Sequence, residues 1–237
     1  MAEPSIRFGT TGAYARPDVD QGLRSYMLRV YNYMGAGLAL SGIIAYVVGN
    51  SPDMMAAIFG TPLQWVVMLA PLAFILVLSF GINRMSAGTA QLLFWAFAAT
   101  MGVSLASIFV IYTGASIARV FFISAATFGA MSLYGYTTKR NLAQFSSFLF
   151  MGLIGIVLAS IVNIFLASSG LSFAISVIGV LVFVGLTAHD TQMIREWYVE
   201  GDDSSQMTKK AVYGALNLYL DFINLMMMML RLFGDRR

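Results

Sequence analysis

Long apolar runs recur along almost the whole of this 237-residue chain and constrain its fold more than any other feature. Each run is about 20 residues long, enough for a helix to cross the roughly 30 Å hydrocarbon layer of a bilayer. The chain is 59% hydrophobic and only 11% charged, so there is too little polar material to coat a soluble domain of this size. The sequence therefore predicts an all-α polytopic membrane protein.

Seven apolar segments are separated by short stretches with turn residues. The segments are predicted at about 27–49, 62–82, 89–112, 116–136, 144–167, 171–195 and 209–233. Separators such as "GNSPD" and "TTKRN" are typical of turns, and one longer polar connector, "EWYVEGDDSSQMTKK", precedes the last segment. We expect a polar cytoplasmic N-terminal tail over residues 1–25 and a single seven-helix transmembrane domain over residues 26–235.

The placement of lysine and arginine predicts the orientation of the chain in the membrane. With the N-terminus in the cytoplasm, ten basic residues fall on the cytoplasmic side, namely Arg7, Arg16, Arg24, Arg29, Arg84, Lys139, Arg140, Arg195, Lys209 and Lys210. The opposite side receives four, Arg119, Arg231, Arg236 and Arg237. A last segment that dips in and returns would keep the C-terminal arginines inside. Because 209–233 is long enough to cross, we favour a full span.

Small residues recur on the predicted spans at three- or four-residue spacing. They are Gly35, Gly37 and Ser41, then Gly129 and Ser132, then Gly155, Ala159 and Ser160. Such spacing lets helix backbones approach closely. The sequence therefore predicts a compact bundle.

Two aspartates lie inside the predicted spans, where a charge is costly. The chain has eleven acidic residues, and nine of them lie in the tail, in connections or near the C-terminus. The exceptions are Asp190 in "GLTAHDTQMIR" and Asp221 in "LYLDFINLM". An ionised carboxylate in hydrocarbon costs at least a few kcal/mol, so such acids usually face a cavity or a partner. Both fall in the predicted cytoplasmic half of consecutive antiparallel helices, within plausible reach of each other.

Two carboxylates in contact cannot both be ionised cheaply. At about 4 Å and an effective dielectric constant near 20, their repulsion is roughly 4 kcal/mol. We therefore expect Asp190 and Asp221 to share one proton near neutral pH and to titrate as a unit. Loss of that proton would push the helices apart or admit a cation, and Ca²⁺ is the expected ion because it prefers carboxylate oxygens. The pair is thus predicted to be a pH-sensitive gate and a candidate Ca²⁺ site.

Simpler interpretations of the two aspartates remain open. Asp190 is close to the interface and could be solvated, or bonded to Thr187 or Gln192. Asp221 is deeper and could have a purely structural bond to Asn217, to Asn224 or to a tyrosine.

Two further residues are candidates for acting on the pair. Arg84 ends the second segment on the predicted cytoplasmic side and could neutralise the aspartates, or could serve only as a positive-inside anchor. His189 is the only histidine and adjoins Asp190. It could tune the titration of the pair, or be a bystander, because neighbours in a helix point about 100° apart.

Sequence motifs for catalysis and nucleic-acid binding are missing. There is no Walker loop, no zinc-ligand cluster and no nucleophile–histidine arrangement, so an enzymatic activity has no positive support. The net charge is +3 without a basic cluster large enough to track phosphates. We therefore predict that the protein is not an enzyme and has no obligatory cofactor, with Ca²⁺ as a permeant or bound ion and the lipid bilayer and protons as its other partners.

Four motifs, in order and with compatible intervals, carry a resemblance to a known family. They are "MSLYGYTTKR", "GIVLASIVNIF", "VFVGLTAHDTQMIR" and "GALNLYLDFINL". Over residues 20–235 the chain resembles the Bax inhibitor-1 (TMBIM) family, in its bacterial YbhL/YccA-like branch. The resemblance implies a seven-helix bundle with the last helix at its centre.

The resemblance also implies a function and site residues. It implies a pH-sensitive Ca²⁺ leak governed by an acidic pair, in which Asp190 matches the aspartate of the D-T-Q motif and Asp221 that of the Y-L-D-F-I-N motif. Arg84 matches the arginine that ends the second helix of a bacterial relative. Many relatives carry tyrosine in place of His189, which could shift the pH at which the pair opens.

Three functions remain as hypotheses, all in a bacterial inner membrane. The leading one is a pH-sensitive calcium leak channel gated by Asp190 and Asp221. The alternative is a regulatory membrane protein that binds a membrane-bound AAA protease through the N-terminal tail or the 196–208 connector, since some family members modulate such a protease. Proton-coupled exchange of a solute is the third, because membrane acids also serve as proton relays.

Overall fold

A computed structural model describes residues 17–237 of the chain, and these residues are almost entirely α-helical. The helices are α1 (Pro17–Gly49), α2 (Pro52–Phe59), α3 (Leu63–Gly81), α4 (Ala87–Leu105), α5 (Ile108–Ile111), α6 (Gly114–Thr137), α7 (Ser146–Leu166), α8 (Ser169–Glu196) and α9 (Ser204–Phe233). A 3₁₀ turn, Leu142–Phe145, precedes α7.

Within residues 17–237, seven stretches are long and apolar enough to cross a membrane. They are α1, α3, α4 together with α5, and α6 to α9. Their number and order confirm the seven predicted segments. The chain is an all-α polytopic membrane protein.

The last helix, α9, is the centre of the bundle. It packs against α8, α1, α6 and α4, and fifteen of its residues are buried. The outer helix α7, by contrast, buries only Leu149 and Ile156, so most of its apolar side chains face outward, where lipid is. The expected central position of the last helix is confirmed.

Several helix ends differ from those expected from hydropathy. The first helix begins at Pro17, inside the predicted N-terminal tail, whereas residues 1–16, with Arg7 and Arg16, lie outside the described part of the chain. The last helix begins at Ser204, because Asp203 caps it by accepting a hydrogen bond from the backbone nitrogen of Gln206 at 2.7 Å. Capping groups therefore set helix ends in the polar regions, where the apolar pattern carries no information.

Only some of the predicted small residues lie at close helix contacts. A Cβ on Gly37 would meet the ring of Phe94 at 2.9 Å, and Ser41 is buried between α1 and α4. A Cβ on Gly35, Gly129 or Gly155 would meet nothing within 4 Å. The prediction of close approach was wrong at these three glycines, which face open space.

The C-terminus is held at the end of the bundle where α9 ends, which we call the C-terminal end; α1 and α9 begin at the opposite, N-terminal end. The nitrogen of Thr113 donates to the carbonyl of Asp235 at 3.1 Å, and the nitrogen of Arg237 donates to that of Ile111 at 3.0 Å. Arg119 pairs with the Asp235 carboxylate at 3.0 Å. The unbroken α9 runs from one end of the bundle to the other and does not turn back, as expected for a full span.

Candidate functional site

The packing of α8 on α9 determines how the two membrane aspartates face each other. A Cβ on Gly179 would meet Met228 Cγ at 2.8 Å, and one on Gly214 would meet Ile194 Cγ2 at 3.0 Å. The two helices are antiparallel, so these contacts place Asp190 opposite Asn217. Asp221 lies one helical turn farther from the N-terminal end.

Asp221 is buried without a hydrogen-bond partner for one of its oxygens. Its exposed fraction is 6%, and Oδ2 has no partner within the described part of the chain. Among the alternative partners considered from sequence, Asn224 donates to the carbonyl of Leu220 at 2.8 Å, and the Tyr219 hydroxyl lies 2.7 Å from Ser41 Oγ. Asn217 makes no hydrogen bond to Asp221 within the described part of the chain. A buried polar atom without a partner is costly and usually has a functional or unseen partner.

Asp190 is half-buried and contacts its sequence neighbour. Its Oδ1 lies 2.8 Å from His189 Nδ1, and the two side chains are 15% and 12% exposed. Thr187 instead bonds within its own helix, and Gln192 bonds to the backbone of the 140–142 turn. The structure therefore brings His189 to Asp190, and neither Thr187 nor Gln192 bonds to it.

The two aspartates lie about one helical turn apart across the contact between α8 and α9, whereas Arg84 pairs with neither of them. Arg84 is exposed in the turn between α3 and α4 and makes no ion pair within residues 21–237. The structure does not bring this candidate charge partner to the pair.

The pair alone does not form a complete metal site. Within the described residues, no group of three or more histidine, cysteine, aspartate or glutamate side chains could hold a metal ion. Ca²⁺ takes six to eight oxygen ligands, including carbonyls and water. Asp190 and Asp221 could therefore supply two carboxylates, with the remaining ligands coming from water or amide oxygens.

One face of α9 is only partly covered by its neighbours. Tyr213, Asn217, Leu220, Asn224 and Met227 are half-buried, whereas most of the helix is buried. Their three- and four-residue spacing puts them on one side of the helix. Asp221 lies at the flank of this face, toward α8. The two asparagines, seven residues apart, are the sequence signal that could have identified this face.

A cavity lies at each end of the partly covered face. The one at the N-terminal end measures about 330 Å³ and is lined by Lys209, Lys210 and Tyr213 among others, with Lys210 paired to Asp202 at 2.5 Å. The one at the C-terminal end measures about 660 Å³, and its lining includes Asn163, Ser172, Ser176, Met227, Arg231 and Arg236. Both of these cavities, which we call the mouths of the face, are therefore lined by basic side chains.

A chain of hydroxyl groups links α1 and α6 to α8 beside Asp190. The Tyr31 hydroxyl lies 2.5 Å from Ser132 Oγ, which lies 2.9 Å from Thr191 Oγ1. Thr191 in turn donates to the carbonyl of Thr187 at 2.7 Å. These contacts could not be predicted, because an isolated hydroxyl in an apolar span shows no partner in the sequence.

These observations define a seven-helix integral membrane protein with two acids near the contact between its last two helices. The sequence profile described as "Inhibitor of apoptosis-promoting Bax1" matches residues 23–237. The chain belongs to the Bax inhibitor-1 family.

Relatives match over nearly their whole length. The inner membrane protein YbhL of Escherichia coli K12 is 47% identical over 234 residues, covering 98% of this chain and 99% of YbhL. An uncharacterized protein of Rickettsia prowazekii is 49% identical over 92% of each chain. An uncharacterized membrane protein of Streptococcus pyogenes is 34% identical over 93% of this chain and 96% of its own. The descriptions of the Escherichia coli and Streptococcus pyogenes relatives refer to membrane proteins, and none of the three names an enzyme class.

Proposed function

We propose that this protein is a pH-sensitive Ca²⁺ leak channel of a bacterial inner membrane, gated by Asp190 and Asp221. The observation that carries the proposal is the Asp221 carboxylate, buried at the centre of the bundle with Oδ2 unpartnered within the described residues. Asp190, on the helix packed against it, is the neighbouring acid. Two acids in one low-dielectric site respond to pH as a unit.

The gate depends on the proton that the two carboxyls share. With that proton in place, α8 and α9 stay packed, because a protonated carboxyl can donate to a carboxylate. When the proton leaves, two like charges remain in a site with little water and repel each other by a few kcal/mol. Ca²⁺ can then replace the proton as the counter-charge. Flux should accordingly rise with pH.

The partly covered face of α9 offers the route. It runs past Asp221 and carries the amides of Asn217 and Asn224 between the two end cavities. Amide oxygens are acceptable Ca²⁺ ligands. Basic residues at both mouths lower the local concentration of cations, which suits a slow leak better than a fast channel.

The proposal is tested by measuring Ca²⁺ entry into proteoliposomes that contain the purified full chain, as pH is varied. Wild type is expected to conduct more as pH rises. Asp221→Asn and Asp190→Asn each remove the shared proton. Each should reduce the change in flux between low and high pH by roughly tenfold, equivalent to about 1.4 kcal/mol in the gating equilibrium.

The matched control is Asp53→Asn, which changes an exposed aspartate in the first turn of α2. This variant should keep the wild-type pH response. Thermal unfolding should first show that both membrane variants are folded. If they then kept the wild-type response as well, the gate assigned to Asp190 and Asp221 would be wrong.

A further inference from the structure

The helices α1 and α6 both pack on α9 and leave a cleft between them near the N-terminal end of the bundle. The cleft measures about 450 Å³ and has walls that are almost entirely apolar, with Met27 and Leu28 on one side and Phe128 and Leu133 on the other. This volume is in the range of pockets that bind small organic ligands.

The cleft has few polar groups, which belong to Arg24, Tyr31, Ser132 and Tyr136. Arg24 lines its end nearest the membrane surface and is exposed. Tyr31 and Ser132, joined by their 2.5 Å hydrogen bond, also line it. Seven residues of α1 separate Arg24 from Tyr31, which corresponds to about 10 Å along the helix. The cleft thus combines a cationic entrance with an apolar interior.

The cleft suits a hydrocarbon chain that carries an anionic head group. On α6, a Cβ on Gly129 would meet no atom within 4 Å, so this lining residue leaves the cleft open. An acyl chain can therefore lie along the apolar walls, with Arg24 at the level of its head group.

We propose that this cleft binds one anionic phospholipid, with the phosphate group at Arg24 and one acyl chain along the apolar walls as far as Tyr31 and Ser132. Basic pockets between transmembrane helices attract anionic head groups. Lys139 and Arg140, which follow the end of α6 at the same end of the bundle, add positive charge there. The site is separate from Asp190 and Asp221 and does not depend on Ca²⁺ conduction.

The proposal is tested by native mass spectrometry of the full chain in detergent, with added phosphatidylglycerol or phosphatidylcholine. Wild type should retain phosphatidylglycerol about tenfold better than phosphatidylcholine, equivalent to ~1.4 kcal/mol. Gly129→Leu fills the cleft and should abolish retention of the bound lipid. Arg24→Gln should leave retention but remove the preference for the anionic lipid.

Gly155→Leu is the matched control, because Gly155 on α7 is also exposed with no atom within 4 Å of an added Cβ. It should retain lipid like wild type. Wild-type retention in Gly129→Leu would show that the cleft is not the site. Equal retention of both lipids by wild type, or an unchanged preference in Arg24→Gln, would overturn the head-group assignment. A change of oligomeric state in Gly129→Leu alone would identify the cleft as a contact between copies of this chain.

Discussion

Tyr219 and Tyr26 are both buried tyrosines, but their hydroxyl groups have different surroundings. The Tyr219 hydroxyl lies 2.7 Å from Ser41 Oγ, and Ser41 donates to the carbonyl of Ala98 at 2.6 Å. The Tyr219 hydroxyl therefore donates to Ser41 Oγ, and together the two hydrogen bonds link α9 to α1 and α4. The Tyr26 hydroxyl is buried and has no partner within residues 21–237.

We expect Tyr219→Phe to destabilise the protein and Tyr26→Phe not to. The first change removes a hydrogen bond and should lower the free energy of unfolding by about 1–1.5 kcal/mol, or Tm by roughly 2–6 °C. The second removes an unpartnered hydroxyl and should leave Tm unchanged or raise it. The measurement is thermal unfolding of both variants in the same detergent. An equal decrease in Tm for the two variants would contradict the hydrogen bond assigned to Tyr219.

Some of the important residues can be identified from the sequence alone, and others cannot. Asp190 and Asp221 could be identified because an acid in an apolar span is rare and costly. The contact between Tyr219 and Ser41 could not, because a hydroxyl fits an apolar span with or without a partner and only the fold brings α1 to α9. The position of Arg84 at a helix end indicates its depth in the membrane. It does not indicate whether the side chain faces the two aspartates.

At the scale of helices, α6 shows both a close and an open contact. A Cβ on Gly135 would lie 2.2 Å from the carbonyl oxygen of Ala188 in α8, a backbone atom that cannot move alone. A Cβ on Gly129, six residues earlier on the same helix, would meet nothing within 4 Å.

We expect Gly135→Ala to force α6 away from α8 and to lower the free energy of unfolding by about 1–3 kcal/mol, as overpacking does. Gly129→Ala is the control on the same helix and should be neutral, or stabilising by up to about 1 kcal/mol through helix propensity. Thermal unfolding distinguishes the two. If Gly129→Ala lowered the free energy of unfolding as much as Gly135→Ala, the packing of the two glycines would not differ as described.

The helices themselves were largely predictable, whereas their ends and partners were not. Hydropathy identified all seven spans because crossing a bilayer demands length and apolarity. The start of α9 at Ser204 and the short helix α2 were missed, because Asp203 and Ser51 form caps in polar sequence that hydropathy does not register. The glycine pattern could not separate Gly37, which packs on Phe94, from Gly129, which faces the cleft.

At the scale of the whole molecule, the basic mouths should limit cation flux if the proposed leak is correct. Neutralising both arginines of the C-terminal cavity, in Arg231→Gln with Arg236→Gln, should raise Ca²⁺ flux severalfold at low ionic strength. The gain should shrink in high salt, where charges more than about 10 Å apart are screened. Lys139→Gln, an exposed change outside both cavities, should have no effect; an equal gain in this control would exclude a specific role for the mouth.

The orientation of the whole chain can be tested directly because it contains no cysteine. We predict that the N-terminal end is cytoplasmic. Asn50→Cys, between α1 and α2, should then react with a membrane-impermeant thiol reagent added to the outside of intact spheroplasts. Asn83→Cys, between α3 and α4, should react only after the membrane is opened. The reverse pattern would show that the chain is inserted with the opposite orientation.

The central position of α9 has a consequence for how the protein is made. This helix leaves the ribosome after the six other spans, and the mean hydropathy of its most apolar window is 1.3, against 2.5 for residues 142–166. A weakly apolar segment carrying Asp221 has little tendency to remain in lipid alone. Until it arrives, the surfaces of α1, α4, α6 and α8 that pack on it have no partner, so we expect the bundle to close only once α9 has been made.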